Sequence, residues 1–182
     1  MKGVCLSNLP MSAKVFCSLL LLGLGAGYLA ALVQAVTAVG VSYEDIQSSL
    51  MPDRPMMTME HGQTSVEHEM DLSQLGTSAK VWIRTPLLIQ TSHTHLFGLN
   101  LIAGLVGLIF LFTSLAEWKK VAVLSLMFGG ILVDIGGMWL TRFVWPPFAA
   151  LVLIGGTAFA LAYLIVLTVS YYELWLKPEV RL

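Results

Sequence analysis

The 182-residue chain is 57% hydrophobic and 12% charged, with ten basic and eleven acidic residues and a net charge of -1, and its mean hydropathy is +0.80. Soluble domains carry about 25% charged residues, so the composition is that of an integral membrane protein, and the near-neutral balance supplies no basic stripe for nucleic acid. Two cysteines, Cys5 and Cys17, stand without any C-x-x-C or C-x-x-C-H, which excludes a c-type haem attached to this chain and gives no disulfide framework.

The expected fold is all-α: a four-transmembrane-helix antiparallel bundle with one external loop between helices 1 and 2. A short N-terminal segment (1–14) precedes a first span over 15–39. Its basic start and Ala35/Ala38 also resemble a signal-peptide cleavage region. The length of the apolar run and Gly23, Gly25 and Gly27, which suit close helix contact, favour an uncleaved anchor. A loop over 40–85 follows, with seven acidic residues and three basic ones. The second span is predicted over 86–117, because no Asp, Glu, Lys or Arg occurs from Pro86 to Ala116, a run longer than the ~20 residues a bilayer requires. Thr85 and Pro86 provide its start signal. The third span is placed at 120–142, the fourth at 147–173, and a tail at 174–182.

Basic residues near the span ends set the expected orientation. Lys2, Lys14, Lys119, Lys120, Lys177 and Arg181 fall on one side of four spans, and Arg54, Lys80, Arg84 and Arg142 on the other. Both termini are therefore predicted to be cytoplasmic, in a bacterial inner membrane, with the 40–85 loop in the periplasm. Short turns make successive spans antiparallel neighbours.

Depths counted at ~1.5 Å per residue from the inner helix ends place Asp134 at ~21 Å, Asn100 at ~25 Å, Met138 at ~27 Å, Gln34 at ~30 Å and His95 and Arg142 at ~33 Å. Polar groups thus gather toward the outer face, where Trp139 and Trp145 mark the interface. Asp134 is the costliest of them, at ~2.5–3.5 kcal/mol for a charged carboxylate at mid-span. It is expected to face the bundle, with Asn100 the nearest partner by depth and His95 too far for direct contact in untilted helices. It is either a proton relay or a polar clamp between helices.

His93 and His95 lie two residues apart, ~200° around a helix, so they cannot both face one centre. Three readings follow. A b-type haem on one of them would need a second ligand from His61, His68 or Met138, with Arg84 or Arg142 on the propionates. A quinol would need one histidine as hydrogen-bond partner and proton acceptor, and an aromatic wall such as Phe97 or Trp139. Interfacial histidines can also simply bind backbone or water. The loop adds Met51, Met56, Met57, Met59, His61, His68 and Met70, thioethers and imidazoles that suit copper(I), or methionines that dock a partner. His61 and His68 with Glu60, Glu67 and Glu69 could hold zinc, although no compact zinc signature is present.

VSYEDIQ, TPLLIQTSHTHLFGLNLIAGLVGLIF and DIGGMWLTRFVWPPFA resemble small four-span bacterial membrane proteins with an S-H-x-H-L-F-G motif. These are often mislabelled as a translation elongation factor and are encoded near multihaem c-type cytochromes. The resemblance implies a respiratory setting. Several such relatives carry C-x-x-C-H in the loop, where this chain has Met and His, so a covalent haem does not carry over. Expected partners are membrane lipids, other membrane subunits and a periplasmic c-type cytochrome. Gly129, Gly130, Gly136, Gly137, Gly155 and Gly156 offer surfaces for close helix approach. The chain shows no nucleophile triad, phosphate loop or paired carboxylates of a self-contained enzyme. A redox subunit using His93 or His95 with Asp134 and Arg142 therefore stands beside a cofactor-free assembly subunit and a copper-handling protein.

Overall fold

A computed structural model of the protein describes residues 5–51 and 83–177. Its elements are helices α1 (Met11–Ala38), α2 (Tyr43–Leu50), α3 (Thr85–Leu111), α4 (Glu117–Phe143) and α5 (Ala149–Tyr171), with short 3-10 turns at Leu6–Asn8 and Pro146–Phe148 and a π turn at Tyr172–Leu176. Four stretches are long and apolar enough to cross a membrane: α1, α3, α4 and Pro146–Leu176. The expected all-α, four-span bundle is what forms. The copper and zinc candidates His61, His68, Met56, Met57 and Met59 lie outside the described residues.

Water does not drive helices together inside a bilayer, so the tightest contact is made where side chains are smallest. A Cβ placed on Gly130 would stand 2.8 Å from the Gly155 carbonyl oxygen and the Phe159 nitrogen, one on Gly137 2.8 Å from the Val152 nitrogen, and one on Gly155 against the Asp134 backbone. Glycine is required here because α4 and α5 touch backbone to backbone. Gly129, Gly136 and Gly156 face open space instead, so half of the six glycines on α4 and α5 serve no close contact within the described residues.

The helix boundaries differ from the expected ones most at α3, which ends at Leu111 rather than 117. The physical reason lies in the turn that follows. Lys120 folds back so that its buried ammonium donates to the Leu111 carbonyl (2.8 Å), and Glu117 holds it at 3.0 Å. A cation there satisfies an orphan carbonyl and favours the negative end of the helix. Thr113 Oγ1 caps the Phe110 carbonyl at 2.7 Å, and buried Glu173 accepts from the Ser114 backbone N–H (2.8 and 3.0 Å) and its hydroxyl (2.5 Å). A charge-free sequence run thus overstates the helix by nearly two turns. We call this the basal end of the bundle.

At the opposite, loop end, the chain turns through Gly40, whose φ of +93° is the only positive value among the described residues and suits glycine. It then enters α2, which Ser42 caps by accepting from the Asp45 N–H at 3.0 Å. α2 was not expected. It lays Ile46 and Leu50 on Leu88, Ala149 and Val152, closing that end of the bundle. The segment between 51 and 83 leaves and returns at one place, since Ile83 N–H donates to the Ser49 carbonyl at 2.9 Å.

α1 is attached differently from the other three spans. Its basal half packs through Leu21, Leu24 and Tyr28, and Tyr171 and Trp175 donate to Ser18, each at 2.8 Å. Every residue from Leu29 to Ala38 is then exposed, before Val39 rejoins the apolar cluster beneath α2. These ten residues, ~15 Å of helix at ~1.5 Å each, are left uncovered by the bundle, and we call this stretch, from Tyr28 up to α2, the side opening beside α1.

Candidate functional site

Two interhelical contacts fix the level of the polar residues. Trp139 donates its indole N–H to Ser92 Oγ at 2.8 Å, and the Gly107 Cβ position meets Leu124 at 3.1 Å. Both pairs belong to one antiparallel register, in which His95 stands opposite Gly136 and Asp134 opposite Phe97. His95 and Asp134 are therefore only two residues apart in depth, ~3 Å, rather than the ~12 Å that depth counting gives. The difference arises because residues 112–116 form a turn rather than the end of α3, and α4 starts at Glu117 rather than at 120.

Helical phase also turns His95 toward the bundle. On α3 the buried residues Leu88, Ser92, Ala103, Val106 and Phe110 define the inward face, and at ~100° per residue His95 falls on the same side as Leu88 and Val106. It is half-buried. Its Nδ1 lies 2.9 Å from the Thr91 carbonyl oxygen. A carbonyl only accepts, so Nδ1 carries the proton, and Nε2 of the neutral ring is left as an acceptor. Asp134, on the α4 stripe between Gly130 and Gly137, faces the bundle interior as expected. It has no hydrogen-bond partner among the described residues and interacts electrostatically with Tyr28. Tyr28 in turn meets Phe159 edge-on and Tyr163 at a tilt, ring centroids 5.3 and 4.9 Å away. The polar level lies between two apolar clusters, a basal one containing Ile131, Ile135 and Phe159 and one under α2 containing Leu88 and Val152. It coincides with the side opening beside α1.

The other candidates go elsewhere. His93 is exposed on the far side of α3, its ring tilted against that of Phe97 at 4.8 Å, so the two histidines diverge as their spacing requires. Asn100 is not the partner of Asp134: its Nδ2 donates to the Leu96 carbonyl at 2.6 Å, and it lines a shallow open depression with Leu96, Phe97 and Leu101. The three-residue offset of Asn100 from Asp134 in depth is small, but their helices turn them to different sides. Met138 packs with the cluster beneath α2. Arg142 donates through Nη1 to the Leu50 carbonyl (2.7 Å) and through Nη2 to Thr85 Oγ1 (3.4 Å); it clamps the base of the loop. His93 is turned away from His95, so the two histidines do not converge on one centre. Nor does any group of three or more His, Cys, Asp or Glu among the described residues form a metal cage.

Residues 84–181 match the Aq_1264_TM family, described as a transmembrane helical domain. The chain belongs to that family. The Aq_1264_TM match takes in α3, α4 and α5, and so His93, His95, Asn100, Asp134, Met138 and Arg142; α1 with Tyr28 precedes it. No curated protein and no solved structure matches the chain.

Sequence reasoning missed three parts of this arrangement: Tyr28, the buried Glu173 and α2. Glu173, in YYELW beyond the fourth apolar run, carried a signal, since an acid so near a span end calls for a partner. Tyr28 carried none, because a tyrosine within an apolar run reads as packing.

Proposed function

We propose that the protein is a membrane subunit of an electron-transfer system that contacts quinol at the side opening beside α1. The observation that carries this reading is the shared level of His95 and Asp134, one with a free imidazole acceptor and one with an unpartnered carboxyl group, on a face the lipid phase can reach. Side chains tilt toward the N-terminus of their helix, so His95 leans to the loop end and Asp134 to the basal end. A flat ring with an oxygen at each edge fits between two such groups. With Nδ1–H bonded to the Thr91 carbonyl, His95 presents Nε2 to accept a quinol hydroxyl proton. Asp134 supplies the second hydrogen bond, and the exposed apolar face of α1 from Leu29 to Ala38 accommodates the isoprenoid tail. A respiratory setting agrees with the S-H-x-H-L-F-G resemblance, and a partner c-type cytochrome would take the electrons.

Equilibrium binding of a fluorescent or tritiated quinone to the purified protein in nanodiscs tests this. His95→Leu and Asp134→Asn should each weaken binding about tenfold or more, the worth of one hydrogen bond of ~1.4 kcal/mol, while His93→Leu leaves it unchanged. Equal loss for all three, or no saturable binding, would reject the site. A second reading, a cofactor-free assembly subunit, is favoured by the open positions at Gly129, Gly136 and Gly156, which suit a neighbouring helix. It predicts that leucine at those glycines releases a co-purifying membrane protein without touching quinone affinity.

A further inference from the structure

Two buried hydroxyls are the only buried side-chain polar atoms among the described residues without a hydrogen-bond partner: Tyr163 Oη and Ser170 Oγ. Both are on α5, seven residues apart and so on one face, and they are 3% and 0% exposed. Ser170 is unusual for its place. Hydroxyls within membrane helices commonly bond back to a carbonyl one turn earlier, as Thr94, Thr141 and Thr168 do here at 2.7–2.9 Å. Ser170 makes no such bond, which leaves its Oγ free to engage something other than its own helix.

These two hydroxyls stand in a file with other polar groups. Above them is Asp134, whose backbone abuts Gly155, and Tyr28 lies near enough to Asp134 to feel its charge, with its ring tilted at 50° against that of Tyr163, centroids 4.9 Å apart. Below them, within one turn of Ser170, is buried Glu173, bound to Ser114 and facing Lys177 at 3.4 Å. Lys177 also donates to Ser114 Oγ and is 26% exposed, so this end of the file reaches the basal surface. The remaining step, from Tyr163 to Ser170, is seven residues, a backbone rise of ~10.5 Å along α5, and a chain of waters at ~2.8 Å spacing would be needed to cross it. Buried polar groups without a protein partner are the ones internal water satisfies.

We infer that the bundle encloses a proton path running from Asp134 through Tyr28, Tyr163 and Ser170 to Glu173, completed by internal water. Each hydroxyl accepts one proton and passes on its own, so every proton leaving Asp134 is matched by one delivered to Glu173 and released beside Lys177 to the basal aqueous phase. The groups that bear on its two ends are His95 at the side opening and Lys177 and Ser114 at the basal surface; Lys120 and Glu117 pair with each other and the α3 terminus. The path does not depend on quinol, which is one proton source among others; water at the loop end is another.

The test is valinomycin-driven proton uptake into proteoliposomes of the full chain, read by an internal pH dye. Wild type should conduct above protein-free vesicles, and Tyr163→Phe and Ser170→Ala should each lower the protein-dependent rate at least tenfold. Ser170→Thr, which keeps a hydroxyl, should retain most of it, and Thr168→Val, whose hydroxyl is exposed and bonds to the Leu164 carbonyl, should be unchanged. The melting temperature of each variant separates lost conduction from lost fold. Wild-type uptake equal to empty vesicles, or full uptake in both hydroxyl-free variants, would overturn the path and leave Tyr163 and Ser170 as sites of isolated structural water. Quinone binding measured on the same variants is expected to be intact, so failure of the quinol reading with conduction preserved is a distinct outcome.

Discussion

The α4–α5 pair and α1 solve the same problem in opposite ways. Both must hold a helix in a solvent as apolar as its own side chains, where burial of Leu or Val gains little. α4 and α5 do so by removing side chains at Gly130, Gly137 and Gly155 until backbones meet. α1 has glycines as well, but Gly23 and Gly27 face open space; it is held by Tyr28 and by bonds to Ser18 at its basal end. A backbone-to-backbone seam fixes two helices along their whole length. Contacts confined to one end and one capping residue let the rest of a helix stand off, and the polar level opens where α1 does so.

The comparison can be broken first at the seam. Gly155→Leu forces a side chain into the Asp134 backbone and should cost more than about 3 kcal/mol, beyond the usual overpacking range; the expected result is loss of a folded species on size exclusion in detergent. Glu173→Ala, at the basal end, leaves the Ser114 N–H without its acceptor and Lys177 without its pair. The loss should be ~3 kcal/mol, the upper end for a hydrogen bond to a charged group, seen as a lowered melting temperature. Arg142→Ala should cost ~1.5–3 kcal/mol locally and read out as amide exchange at Ile83, whose N–H is bonded at the loop base, faster by about tenfold to a hundredfold.

Smaller changes sharpen the contrast. Tyr171→Phe removes one interhelical bond to Ser18, worth about 0.6 kcal/mol in a membrane, and should increase the mobility of a spin label on α1 with little change in melting. Gly129→Ala meets no atom within 4 Å and should leave stability unchanged or raise it by up to about 1 kcal/mol through helix propensity. A large destabilisation there would mean that the open side of α4 is occupied within the folded protein.

Much of this fold was legible because a bilayer makes length and charge decisive. Four apolar runs gave four spans, and the ~200° between His93 and His95 separated them correctly. The site was less legible for a specific reason: depth was counted along a charge-free run, and such a run does not show where a helix stops. Leu111 ends α3 because Lys120, Thr113 and Glu173 converge on the following turn, contacts between residues up to sixty apart in sequence that no local pattern encodes. Correcting that end lowers His95 to the level of Asp134. Arg142 and Met138 went to α2, a helix of eight residues whose role depends on the surface it covers.

In the function proposed above, the opening beside α1 brings a quinol to His95 and Asp134. Photolabelling with an azido-quinone in nanodiscs, followed by peptide mapping, locates the bound ring. Saturable adducts are expected on α1 between Leu29 and Ala38 and on α3 around His95, reduced by excess unlabelled quinone. Adducts confined to the outer face of α3 at His93, Phe97 and Leu101, or labelling that does not saturate, would contradict it.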